Sequence, residues 1–277
     1  MKILTIGLSI LFMINEQVIA NNHSVTHNKI TLSLDGASEV SVKGFIAPVE
    51  YTQYNFHVEW DALANLRVAE PEKRYPVSVF HAFLPEHEVS VGEPWQVREE
   101  GVLELLRQLN PNPRLDLEIN AGDSYGLWAC LRAYNDKFAE IVFRIHAEFV
   151  LNDGRFTPSQ FKGHLIIDRI SEKVASFKMY VPEGIVNFDV GRDSTKTIDI
   201  GFCPQIELHT ETQAVLSDTD VVESITQEEA ERKMILRFYK SQQINWVSLE
   251  EALKMMQAQQ KPVHAISIDG PLADESC

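Results

Sequence analysis

The clearest pattern in the chain is an alternation of apolar and polar residues over Ile141–Val150. A period of two predicts a β-strand with its apolar side chains facing a core. The core-facing residues are Ile141, Phe143, Ile145, Ala147 and Phe149. Arg144, His146 and Glu148 are then expected on the opposite face, and Asn152–Gly154 is a turn signal directly after the strand.

Further strands are predicted after this turn. Phe161–Ile170 and Val174–Val181 predict a hairpin joined at residues 171–173, and Thr197–Ile200 and Gln205–Leu208 predict two short strands. One helix is predicted at Gly101–Leu109, where apolar residues recur at helical spacing before an Asn-Pro stop. We therefore expect an α+β fold, with a β-rich mixed domain over residues 45–210.

The last fifty residues change from strands to helices. Two capping boxes predict helix starts, Thr226 with Glu229 and Ser248 with Glu251. The first helix should run to about Tyr239. The second carries apolar residues at helical spacing, which predicts one buried stripe formed by Leu249, Ala252, Leu253 and Met256. Lys261-Pro262 should end that helix, and Val263–Ile268 then predicts a short strand.

The start of the chain has the pattern of an export signal. Lys2 precedes an apolar run, Ile3–Ile14, that is too short to span a bilayer, and Val18–Ala20 matches a small-x-small cleavage site. We expect residues 1–20 to be a signal peptide cleaved after Ala20; the alternative is an uncleaved N-terminal membrane anchor. The expected organisation continues with a polar arm at 21–44, the domain at 45–210, an acidic linker at 211–225 and the segment 226–277.

Composition and charge exclude some classes of function. The 277 residues include 25 Lys and Arg against 40 Asp and Glu, a net charge of −15. Such a surface repels phosphate backbones, so no nucleic-acid partner is expected. No stable transmembrane helix is expected after signal cleavage.

Three cysteines are too few for a disulfide scaffold, and none has zinc-ligand spacing. Cys130 and Cys203 lie in apolar contexts, which favours buried, inert thiols, although export leaves a disulfide between them open. Arg144, His146 and Glu148, with His164 on a neighbouring strand, favour a satisfied polar face over a metal or docking site.

The end of the chain has the order helix, break, apolar strand, loop and cysteine, which is how a thioredoxin-like domain begins. In that fold the reactive cysteine lies at a helix N-terminus, where the helix dipole favours the thiolate. The alternative is that the last segment packs on the preceding domain and that Cys277 is incidental.

Longer strings of residues point to a known family. They are Glu140–Phe149 (EIVFRIHAEF), Phe156–Ile167 (FTPSQFKGHLII), Asp199–Leu208 (DIGFCPQIEL), Gly92–Trp95, Lys261–Ile268 and Leu272–Cys277. Together they resemble the selenoprotein N family from about Phe45 to the last residue. Ser276 and Cys277 match the first two residues of the family's Ser-Cys-selenocysteine-Gly redox motif.

The resemblance implies that this chain is truncated before the selenocysteine, whose UGA codon is commonly taken for a stop. The full-length protein is then expected to be a thiol/selenol-dependent oxidoreductase of disulfides or peroxides with a role in redox homeostasis. Cys277 would be the catalytic thiol, Ser276 its motif neighbour, and an oxidised protein or small molecule the substrate. The 277-residue chain would hold no cofactor and have little activity of this kind.

Two departures from the animal members of the family matter. This sequence has no EF-hand loop, so calcium binding is not carried over. Its leader looks cleavable, which favours a periplasmic or secreted protein over one of the endoplasmic-reticulum lumen. The alternative function is a non-enzymatic exported binding or scaffold module.

Overall fold

Antiparallel strands dominate the fold. The computed structural model describes residues 28–263 except 36–37, 116–125, 213, 215, 217–220, 239–246 and 260–261. The strands are Glu39–Ile46 (β1), Tyr51–Thr52 (β2), Glu72–Pro76 (β3), Pro94–Gln96 (β4), Pro113–Arg114 (β5), Leu127–Tyr134 (β6), Phe138–Ile145 (β7), Glu148–Leu151 (β8), Gly154–Pro158 (β9), Phe161–Asp168 (β10), Lys173–Tyr180 (β11), Phe188–Arg192 (β12), Thr197–Phe202 (β13), Ile206–His209 (β14) and Glu223–Ser224 (β15). The helices are Phe56–Glu59 (α1), Asp61–Ala64 (α2), Glu99–Leu109 (α3), Gln227–Phe238 (α4) and Leu249–Gln259 (α5), with a 3₁₀ helix at Val77–Phe83.

The strands of the described residues form two antiparallel sheets. The first follows the order β15-β6-β7-β10-β11-β14-β1-β3, with β4 also paired to β6. The second follows the order β2-β13-β12-β9-β8-β5. A β-rich α+β fold is thereby confirmed. The thioredoxin-like segment stays a prediction, because Ser276, Cys277 and nearly all of its predicted strand lie outside the described residues, as does the predicted signal peptide.

The predicted hairpin between β10 and β11 is confirmed, with Lys162 paired to Tyr180 and Asp168 to Lys173. The single strand predicted over Ile141–Val150 is wrong, because the segment is divided between the sheets. β7 pairs with β10 in the first sheet, and β8 pairs with β9 in the second. Strands that bend from one sheet into another are how packed sheets make their corners.

One main hydrophobic core is shared by the two sheets, the 3₁₀ helix and α3. The apolar residues predicted for the alternating segment are all buried there, as expected. Phe83 and Phe143 have ring centroids 4.5 Å apart, and Phe143 stacks on Phe177 at 5.7 Å. The predicted helix at 101–109 is α3, which begins two residues earlier and buries Val102, Leu105, Leu106 and Leu109.

The two C-terminal helices differ in burial. α4 packs on the outer face of β6 and β7, where Ala230 and Met234 contact Cys130 and Val142. The buried stripe predicted for α5 is wrong: Leu249 is 62% exposed and Leu253 is 44% exposed. Helical spacing specifies which side chains share a face, but burial of that face requires a second surface.

Within the described ranges, no helix has both the length and the apolar composition needed to cross a bilayer.

Candidate functional site

The bend between the sheets gathers buried polar side chains, which we call the bend cluster. Its members are Arg144, His146, Glu148, Thr157, Gln160 and Asp189, each no more than 6% exposed. The register explains the grouping. Thr157 pairs with Asp189, and Phe149 pairs with Phe156, which places Glu148 beside Thr157 on the face opposite the core. Buried charges of this kind are rare unless they are paired.

Arg144 occupies the first-sheet end of the cluster. Its Nε donates a hydrogen bond to Gln160 Oε1, and its Nη1 lies 3.5 Å from Glu231 Oε2. The same carboxylate lies 3.0 Å from Lys162 Nζ. α4 therefore supplies a negative charge to two basic residues of β7 and β10.

Glu148 and Asp189 occupy the second-sheet end. Glu148 Oε2 lies 3.4 Å from Arg155 Nε. Asp189 Oδ2 is buried without a hydrogen-bond partner. Burial raises the pKa of Asp189 to about 6, and the negative Glu148 adds to this effect, while Arg155 and the Thr157 hydroxyl oppose it.

His146 lies in the bend itself, where its backbone N–H donates to Gly126 O at 3.1 Å. Burial lowers the pKa of His146 to about 4, and the neighbouring Arg144 cation acts in the same direction. At neutral pH the cluster therefore holds a neutral imidazole and an ionised Asp189. His146 therefore changes charge near pH 4 and Asp189 near pH 6, and both groups are enclosed in protein.

The polar residues singled out in the sequence are only partly brought together. Arg144, His146 and Glu148 follow one another along one surface, as expected, but that surface is buried where a satisfied, exposed face was expected. His164 lies apart from His146 and Glu148, beside Val142 and Lys178 in the first sheet. Within the described ranges, no three His, Cys, Asp or Glu side chains converge in a way that could hold a metal ion.

Three members of the cluster were missed by the sequence analysis. Thr157, Gln160 and Asp189 come from two further strands or their ends. The signal for Asp189 is a lone carboxylate between the apolar residues Phe188 and Val190, which indicates an outward position on a strand but not its neighbours.

Two of the three thiols are enclosed in separate apolar clusters. Cys130 is covered by α4, and Cys203 lies in the main core, where its Sγ is 3.3 Å from Ala47 O. Burial raises the pKa of Cys130 to about 12 and that of Cys203 to about 11. Both are free and buried, so the interpretation as buried thiols is confirmed and the disulfide between them is not formed.

The curated relatives that match this chain are described as selenoprotein N. Selenoprotein N of Danio rerio is 31% identical over 73% of this chain, and selenoprotein N of Mus musculus is 26% identical over 78%. Selenoprotein N of Homo sapiens is 27% identical over 78%. The chain spans 42%, 50% and 47% of these relatives respectively, about half of their length. No protein-family model and no solved structure matches the chain.

Proposed function

The chain is related to selenoprotein N, and from this relationship we propose that it belongs to an exported thiol/selenol-dependent oxidoreductase of disulfides or peroxides. The residues that resemble the family's redox motif are Ser276 and Cys277. In this proposal Cys277 is the thiol of a redox pair, and its partner is the selenocysteine that follows Ser-Cys in the family's motif.

The observation that carries the proposal is the enclosure of the other thiols. A thiol attacks a disulfide or peroxide as the thiolate, so a raised pKa and burial suppress the reaction. Cys130 and Cys203 have both features. Of the three cysteines in the sequence, this leaves Cys277 for redox chemistry.

The proposed reaction on a disulfide balances in two steps. The selenolate attacks one sulfur of the substrate, a selenium–sulfur bond forms, and the other sulfur leaves as a thiolate. The thiolate of Cys277 then attacks selenium and releases the second substrate thiolate. The substrate is reduced to two thiols, the Cys–selenocysteine pair is oxidised to a selenenylsulfide, and a thiol donor must reduce that pair before the next cycle.

Alkylation of the intact chain tests the assignment of the thiol. We expect Cys277 to react with iodoacetamide at least ~100-fold faster than Cys130 or Cys203 at pH 7.5, because Cys130 and Cys203 are buried and their pKa values are raised. Peptide mass spectrometry separates the three sites, and Cys277→Ser is the control for assignment. Similar slow rates at all three cysteines would contradict the proposal.

We propose that the oxidoreductase activity belongs to a form that carries selenocysteine after Cys277. The reading frame after the Cys277 codon should contain UGA followed by a glycine codon, and the encoded protein should reduce a disulfide or peroxide substrate. Its Cys277→Ser variant should lose most of this activity. A frame without that continuation, or equal activity in the variant, would contradict the proposal. Export is tested separately by the mass of the mature chain, which should begin at Asn21.

A second candidate function is a non-enzymatic binding module. It is favoured by exposed apolar residues on and beside the second sheet: Ile198 of β13 is 56% exposed, and Ile185, in the loop before β12, is 88% exposed. Tyr51 lies next to this area, since its hydroxyl donates to Ile185 O at 3.1 Å. This candidate predicts that Ile198→Asp lowers binding of an apolar dye, 8-anilinonaphthalene-1-sulfonate, whereas Ile170→Asp, an exposed residue in the turn between β10 and β11, does not.

A further inference from the structure

Backbone hydrogen bonds join the start of helix α4 to the first sheet. β15 pairs with β6, and Ile225 N donates to Arg132 O at 2.9 Å just before the helix. The capping box then closes the first turn: Thr226 N donates to Glu229 Oε2 at 3.0 Å, and Glu229 N donates to Thr226 Oγ1 at 3.1 Å. The N-terminus of α4 is thus held to the edge of the sheet.

The rest of α4 has a small apolar contact. Between Gln227 and Arg237, only Ala230 and Met234 are buried. They cover Cys130 and Val142, in a cluster separate from the main core. Segments with few buried apolar contacts are the ones that open locally at low free energy.

Charged contacts add to this attachment. Glu231 lies 3.0 Å from Lys162 and 3.5 Å from Arg144, and the Arg237 guanidinium lies 5.6 Å from the centre of the Trp128 ring. Glu231 is the acidic group that joins α4 to basic residues on two strands of the sheet. Contacts of this kind weaken with ionic strength where they are partly solvated.

We propose that α4 is a releasable strap: it swings away from the sheet as one helix about Ile225–Thr226, with Glu231 as its latch. Release uncovers Cys130 and Val142 and leaves β15 paired. This inference goes beyond the proposed function and does not depend on the chemistry of Cys277.

The alkylation rate of Cys130 measures release of the strap, because α4 covers this thiol. The alkylation rate of Cys203 measures opening of the main core. The experiment measures alkylation of both thiols by iodoacetamide in the intact folded chain at pH 8, with peptide mass spectrometry. Glu231→Gln should raise the rate at Cys130 about tenfold and change the rate at Cys203 by less than about twofold. Glu228→Gln, which removes an exposed charge from the same helix, should leave both rates within about twofold of wild type.

Two further measurements keep the test independent of that one variant. Raising NaCl from 0.05 to 0.5 M should accelerate Cys130 selectively in the wild-type chain, because screening weakens the latch. Met234→Ala should also accelerate Cys130 selectively by reducing the apolar contact. Parallel acceleration at Cys130 and Cys203, or no acceleration at Cys130 in either variant or in salt, would overturn the strap.

Discussion

Two residues of the bend cluster should each make the free energy of unfolding depend on pH. Their effects are opposite, so they largely cancel in the wild-type chain and should be seen only in variants. The pKa of Asp189 rises from 3.8 to about 6 on folding, whereas the pKa of His146 falls from 6.5 to about 4. At pH 5 the folded chain therefore carries a proton on Asp189 and none on His146. In the unfolded chain the proton is on the histidine, so folding moves a proton between the groups with little net uptake.

Each shift alone changes the free energy of unfolding in a definite direction. The raised pKa of Asp189 gives a contribution that is fully present below pH 3.8 and is lost as the pH rises through about 6. The lowered pKa of His146 gives a contribution that is present above pH 6.5 and is lost as the pH falls through about 4. At about 1.4 kcal/mol per tenfold change in proton affinity, each full contribution is about 3 kcal/mol. The two largely cancel in the wild type over the same pH window.

Asp189→Asn and His146→Gln separate the two contributions, because neither new side chain titrates. Between pH 7.5 and 4.5, the free energy of unfolding of Asp189→Asn should fall relative to wild type by about 2 kcal/mol. That of His146→Gln should rise relative to wild type by about 2.5 kcal/mol, and the double variant should follow the wild-type profile. Urea unfolding monitored by tryptophan fluorescence measures all four proteins. Single-variant profiles that run parallel to the wild type across this range would refute the reasoning.

Three further substitutions test local features of the fold by urea unfolding. Gly163→Ala should cost at least about 2 kcal/mol, because a Cβ there would lie 2.3 Å from both Phe143 and a backbone oxygen; an undiminished midpoint would contradict this crowding. Asp199→Ala should cost about 2–3 kcal/mol, because its buried carboxylate accepts the Tyr54 N–H at 3.0 Å; Asp199→Asn should recover part of the loss. Thr226→Ala should remove the N-terminal cap of α4 and cost about 1 kcal/mol of helix stability. Amide hydrogen exchange should then be faster in α4 and unchanged in β10.

Local features of the chain were predictable because they depend on neighbours in sequence. The capping box at Thr226 and the hairpin between β10 and β11 are set by side chains a few residues apart, and both form as predicted. The burial of Cys130 also follows from its apolar context. Its cover could not be predicted, because that cover is a helix about one hundred residues later in the chain.

The stripe on α5 shows the limit of the same reasoning. The helix forms at the predicted capping box, where Glu251 N donates to Ser248 Oγ at 3.2 Å. The apolar spacing also places Leu249 and Leu253 on one side of the helix. Leu249 and Leu253 are nevertheless exposed, because the spacing contains no information about the surface that a face would contact.

The bend explains why the most regular alternation in the chain predicted one strand where there are two. Ile145, Ala147 and Phe149 stay on one inward series while the backbone passes from the first sheet to the second, so the sequence pattern continues unbroken through the corner. The outward series is continuous for the same reason, and Arg144 and Glu148 remain on one surface. Each has a partner of opposite charge from elsewhere in the chain, Glu231 and Arg155 respectively.

These partners determine whether the buried charges are tolerated. Removing one member of a buried ion pair leaves the other without compensation, which costs more than the pair contributes. Arg155→Gln should therefore be more destabilising than the double change Arg155→Gln with Glu148→Gln, although the double change alters more of the cluster. If the double variant is instead the less stable by the sum of the single effects, the two side chains act independently and the bend does not depend on their pairing.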